Sequence, residues 1–209
     1  MNSHRPLALL AALFLSNPFI SSAAEPPTAP SPVQVERAEK ITAGLGLSDP
    51  AHSLRVRDLI AGQYRDLSVV HDIRDAASKV PETASAAKDT ASARMADLHY
   101  AYLAALSVEL TADQIEQVKD GMTYGVVPLT FRVYQEMLPD LSAEQKRKLL
   151  GWLREAREHA MDAGSSDEKH GWFGKYKGRI NNYLSAAGID MKKAEKEMMQ
   201  RKKQPPENK

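Results

Sequence analysis

Leu141-Ser142-Ala143-Glu144-Gln145-Lys146-Arg147-Lys148-Leu149-Leu150-Gly151-Trp152-Leu153-Arg154-Glu155-Ala156-Arg157-Glu158-His159-Ala160-Met161-Asp162-Ala163 is a helix that carries its own start signal. The Ser142 hydroxyl caps the first free N–H groups. Gln145, three residues on, reaches back to the cap, and Leu141 acts as a hydrophobic staple. Leu149, Leu150, Leu153, Ala156 and Ala160 then recur at helical spacing with Trp152 beside them. The stretch predicts a helix over Ala143 to Ala163 with one buried face, stopped by Gly164.

The same box stands upstream as Leu110-Thr111-Ala112-Asp113-Gln114 and starts a helix over Ala112 to Gly121. Between the boxes, Tyr124-Gly125-Val126-Val127-Pro128 reads as a turn or short extended piece, followed by a short helix from Pro128. Ser48-Asp49-Pro50 is a cap followed by a first-turn proline. It opens a long helix to about Ser78 with a buried stripe of Val56, Leu59, Ile60, Leu67, Val70 and Ile73, and three Arg-Asp dipeptides on its wet face. Pro81 to Thr90 is small and polar and reads as a loop, and Ala91 to Leu106 is helical again. Val33 to Leu45 shows helical spacing up to Gly46. No segment alternates with period two over any length, so the fold is all-α: a single compact, bundle-like domain over 34–190.

The flanks suggest a compartment. Met1–Arg5 is short and positive, Pro6–Ile20 is mostly apolar, and Ser22-Ala23-Ala24 are small. This is the pattern of a cleaved signal peptide over 1–24, cut after Ala24, and it places the protein in the periplasm or outside the cell. The apolar run is interrupted by Ser16-Asn17-Pro18 and falls short of the ~20 residues of a spanning helix, so no membrane span is expected in the mature chain. A proline-rich linker covers 25–33 and a basic tail 191–209, where Lys192–Lys209 carries seven Lys/Arg against three Glu. The signal takes one Arg from the 28 Lys+Arg, which balances the 27 Asp+Glu and leaves no overall footprint for nucleic acid. There is no cysteine, so the core alone holds the domain.

Asp162–Tyr183 is the densest mixture of aromatics, cations, amides and glycines in the chain. The candidate ligand-binding residues are His170, Trp172, Lys175, Tyr176, Arg179, Asn181, Asn182 and Tyr183: flat rings to stack on, and polar tips to orient a ligand. If this stretch is helical, Trp172, Tyr176, Ile180, Tyr183 and Leu184 also form an ordinary core stripe. Gly171, Gly174 and Gly178 fall on another face, each costing a helix about 0.5–1 kcal/mol. They imply close approach of a second helix, access for a ligand, or a break in the helix. Glu155, Glu158, His159 and Asp162 lie within two turns, but the two-His zinc motif is missing, and neither a metal nor any other cofactor is expected. The sequence has no phosphate loop, nucleophile elbow or other recognisable catalytic motif.

The runs Arg55–Leu67, Lys119–Phe131 and Met137–Asp190 resemble a family of secreted bacterial proteins, a domain of unknown function described as sugar-binding. The resemblance spans roughly Val35–Lys193 and implies a carbohydrate ligand as partner, without assigning site residues. The two capping boxes alone are similar to those of small helical periplasmic stress proteins. Three expectations follow: a saccharide-binding module using the 162–183 cluster; a glycan hydrolase or lyase using Glu155, Glu158, Asp162 or His170; or a periplasmic interaction or chaperone-like protein that packs its glycine stripe on a partner.

Overall fold

The computed structural model describes residues 29–203, so the signal-peptide reading and the start of the linker lie outside the described residues. Among the described residues there are eight helices and no strand, which is the all-α class read from the sequence. They are α1 Pro32–Ala43, α2 Pro50–Ala77, α3 Pro81–Glu109, α4 Ala112–Met122, α5 Val126–Met137, α6 Ala143–Met161, α7 Ser166–Ala186 and α8 Met191–Lys203.

The capping boxes do what their chemistry requires. Thr111 Oγ1 and Ser142 Oγ accept from the N–H groups of Gln114 and Gln145, whose side chains return to the cap N–H groups. Each such cap contributes about 1 kcal/mol. Leu110 and Leu141 are buried as staples. A third box, Ser31 with Gln34, starts α1 inside the stretch read as linker.

Two apolar clusters make up the interior. The first gathers Ala38, Val56, Ile60, Tyr102, Leu106, Val118 and Met122 from α1–α4. The second gathers Tyr134, Leu149, Leu153, Ala156, Phe173, Ile180 and Leu184 from α5–α7. α2 pairs with α3, and α6 with α7, as long antiparallel hairpins, while α4 packs against both groups. The basic segment from Met191 folds as α8 over α5, burying Ala194 and Met198, with Lys202 paired to Glu136 at 2.8 Å.

Three expectations are corrected. Pro81–Thr90 is not a loop but the first third of α3. Proline sits at the helix start, where its missing N–H has no acceptor to lose, and the alanines that look loop-like are the strongest helix formers. Ile73 is not buried but 64% exposed: it lines an open groove with Ala77, Ala86 and Ala87, side chains too small to cover it. α5 begins at Val126 rather than Pro128, behind two left-handed residues, Tyr124 (φ 60°) and Gly125 (φ 65°). Pro128 therefore falls in the first turn, where its ring is tolerated.

Candidate functional site

α7 is continuous, and its 3.6-residue turn separates the candidate residues onto different faces. Tyr176 is in the core beside Phe173, Ile180 and Leu184. Trp172, Lys175, Arg179 and Tyr183 lie on the flank facing α6. His170 and Asn181 lie on the flank facing α5: His170 stacks on Tyr124 with centroids 5.7 Å apart, and Asn181 Oδ1 accepts from the Tyr134 hydroxyl at 2.7 Å. Asn182 is exposed on the glycine face. A Cβ added at Gly171, Gly174 or Gly178 meets open space. No helix approaches that face and the helix does not break there, so two of the three explanations for the glycines fall.

The flank facing α6 is organised as a ladder. Trp172 stacks on His159, with centroids 4.3 Å apart and planes 16° from parallel. Tyr176 lies opposite Glu155, and burial first and that carboxylate second raise its hydroxyl above the usual phenol range. Arg179 lies over the Trp152 ring at 4.6 Å, and Lys148 over the Tyr183 ring at 4.7 Å. The rungs pair 159 with 172, 155 with 176, 152 with 179 and 148 with 183. Both helices thus contribute positions i, i+4, i+7 and i+11, the spacing that keeps one flank of each helix facing the other. Lys175 adds an ammonium 5.1 Å from the Trp172 centroid.

At the Trp172 end the ladder opens into a cleft of about 590 Å³. Its far wall is His71 and Arg74 of α2 with Ser92, Met95 and Ala96 of α3, and its near wall is His159, Asp162, Glu168, Trp172 and Lys175. The cleft therefore lies where the α1–α4 group meets the α6/α7 hairpin. His71 is buried, and its Nε2 donates to the Asp162 carbonyl at 2.7 Å, which ties α2 to the end of α6. Buried Lys169 donates to the Ala160 and Met161 carbonyls and finishes α6, and burial pulls its ammonium down to about 8.

Behind the cleft lies a charged layer. His99 Nδ1 is 2.8 Å from Asp162 Oδ2, and His99 Nε2 is 3.6 Å from Glu158 Oε2; Glu158 also meets Lys119 at 2.9 Å. The Asp162 carboxylate beside its ring, outweighing partial burial and the opposing charge of Lys119, raises the His99 pKa above its ordinary value. A raised folded-state pKa contributes stability that is fully present below the unfolded value and lost as pH rises through the folded one. His99→Gln should therefore cost more stability at about pH 6 than at about pH 8. Urea denaturation of both proteins at the two pH values checks this, and an equal cost at both would refute the assignment.

The sequence places Trp172 and Lys175 at this cleft but misses Lys148, Trp152 and His159, which α6 supplies to the ladder. Their signal was available as the repeat of one spacing in two adjacent helices. Of the four acid/base candidates Glu155, Glu158, Asp162 and His170, only Asp162 lines the cleft. Glu155 and Glu158 are engaged with Arg179 and Lys119. Among the described residues, no three His, Asp or Glu are grouped to hold a metal, and no helix is long and apolar enough to cross a membrane.

The family model described as Protein of unknown function (DUF3826) matches residues 32–204, and the chain belongs to that family. No curated protein matches the sequence.

Proposed function

We propose that the chain is a saccharide-binding module that works outside the cytoplasm and takes its ligand in the cleft walled by Trp172. The observation that carries this reading is the indole itself, half-buried on the wall of an open cleft. Arg74, Asp162, Glu168 and Lys175 stand around it with donors and acceptors of both signs. A sugar offers an apolar C–H face ringed by hydroxyls, and a flat ring flanked by polar tips suits both parts. His159 already covers one indole face, so the sugar takes the other after the flexible Lys175 side chain swings aside. The leader-like pattern of 1–24 supports the location. Binding is favoured over cleavage because Glu155 and Glu158 are already ion-paired away from the cleft.

The test is titration calorimetry of residues 25–209 against a panel of neutral and acidic oligosaccharides, with Trp172→Ala beside the parent. Truncating the platform should weaken any hit about tenfold or more in a variant that still unfolds cooperatively, at a lower melting temperature because Trp172 packs against the second apolar cluster. A hit that Trp172→Ala leaves intact moves the site elsewhere, and silence across the panel from a well-folded protein sinks the reading. Silence would turn attention to the apolar groove between the far ends of α2 and α3, where Val70, Ile73, Ala77, Ala86 and Ala87 line about 350 Å³.

A further inference from the structure

Building on the saccharide reading, we infer that the site continues from the cleft along the α6/α7 ladder and selects an extended acidic glycan with carboxylates on successive sugars. The four rungs run from 159/172 to 148/183, eleven residues along each helix, or roughly 16 Å. Successive rungs are about one helical turn apart, ~5.4 Å on average, close to the length of one hexose in an extended chain. A linear glycan of about four residues laid along the seam therefore spans all four rungs and meets a half-buried ring at three of them, Trp172, Trp152 and Tyr183, while Tyr176 lies beneath in the core.

Three of the four rungs carry a cation. Lys175 lies by Trp172, Arg179 by Trp152 and Lys148 by Tyr183. The one acid among them, Glu155, is held 3.7 Å from Arg179. Lys148, Lys175 and Arg179 are exposed, so their donors reach solvent beside a half-buried ring. Carboxylates on the glycan would meet these donors while the C–H faces meet the rings. The bare glycine face of α7 borders the cation row, and no side chain from Gly171, Gly174 or Gly178 stands in the way. A single-stranded nucleic acid also combines negative charge with stacking, but its bases need open ring faces. Here Trp152 has Arg179 on its face and Tyr183 edge-on at 5.3 Å, an arrangement better suited to thin C–H edges than to a base.

The experiment uses oligogalacturonides from dimer to hexamer, their methyl esters, and an oligo-dT of similar length, with the full mature chain and its Arg179→Gln and Lys148→Gln variants. Affinity should rise with each sugar up to about four and then level off, and it should fall with added salt. The methyl esters should lose most of it. Each variant should weaken the hexamer about fivefold, the equivalent of one exposed cation's contribution, and leave the dimer unchanged. Affinity independent of length, methyl esters that bind as well as the acids, variants without effect, or tighter binding of oligo-dT would each overturn the inference. If neutral sugars still bind and depend on Trp172, the ladder fails alone and the cleft reading stands. If nothing binds, both fail.

Discussion

Arg157→Met is expected to lower the unfolding free energy by about 3 kcal/mol, more than any surface substitution in this chain. Arg157 is 2% exposed and sits on α6 where the two apolar clusters meet. Its fork donates to Asp120 and Glu116, both at 2.7 Å, one turn apart on α4. Burial works against its charge, but the hydrogen bonds it donates to Glu116 and Asp120 outweigh that and raise its pKa. Removing the cation leaves two carboxylates facing a seam built for a guanidinium. They are about one-third exposed, so water recovers part of the loss, which keeps the figure at the low end for a broken buried pair. Methionine fills the volume, so the loss reads the charge rather than a cavity. The same contact gives an acid signature. Burial raises the Glu116 pKa, but its Arg157 hydrogen bond and nearby cations prevail and hold it below the ordinary value. That contribution is present above the unfolded pKa and lost as pH falls through the folded one, so the variant should lose less stability on acidification than the parent. Urea unfolding at neutral and acid pH measures both effects, with Arg157→Lys expected between parent and Met. A loss under 1 kcal/mol would mean that α4 and α6 are held by their apolar contacts alone.

Much of the fold was legible because it is written locally. Thr111/Gln114 and Ser142/Gln145 announce their helices within five residues, and the Leu149–Ala160 stripe marks the buried face of α6. What failed was longer-range. The start of α3 reads as a loop because Ala and Ser carry no apolar period, yet their small size is what lets α3 run beside α2. Ile73 fits the stripe of α2 by spacing, but spacing does not say how small the side chains opposite it are. The two left-handed residues at Tyr124 and Gly125 could be assigned to a turn but not to a conformation, since a tyrosine with positive φ is held there by its surroundings.

The candidate site could be read as a segment and not as a surface. One helix presents its residues all round, so the composition of 162–183 gathers groups that the turn of α7 then separates. Tyr176 goes inward, Asn181 is taken by Tyr134, and His170 goes to Tyr124. Trp172, Lys175, Arg179 and Tyr183 stay together because their spacing keeps them on one flank. Their partners Lys148, Trp152 and His159 lie more than ten residues upstream, and only the antiparallel register of α6 and α7 brings the two sets together.

That register depends on the turn between the two helices, where Gly164→Ala is expected to destabilise the protein by about 2 kcal/mol. The backbone at Gly164 is not left-handed, so conformation alone would permit alanine. Space does not: a Cβ there would sit 2.8 Å from His71 Cγ and 3.0 Å from both Cδ2 and Nδ1. The imidazole has little room to retreat, because it is buried and its Nε2 is fixed on the Asp162 carbonyl. Either that hydrogen bond breaks, or the segment carrying Ser165 and Glu168 moves. The Ser165 hydroxyl caps Glu168 N–H at 3.1 Å, and Glu168 accepts from Gly164 N–H at 2.8 Å, so movement disturbs the start of α7. In both cases the far wall of the cleft shifts against Trp172, and the saccharide binding proposed for it should weaken together with stability. The cause can be isolated by a double-mutant cycle. With His71→Ala in the background the added methyl has room, so Gly164→Ala should cost about 1 kcal/mol less than in the parent. Additive costs would show that the turn, rather than the ring, excludes the side chain.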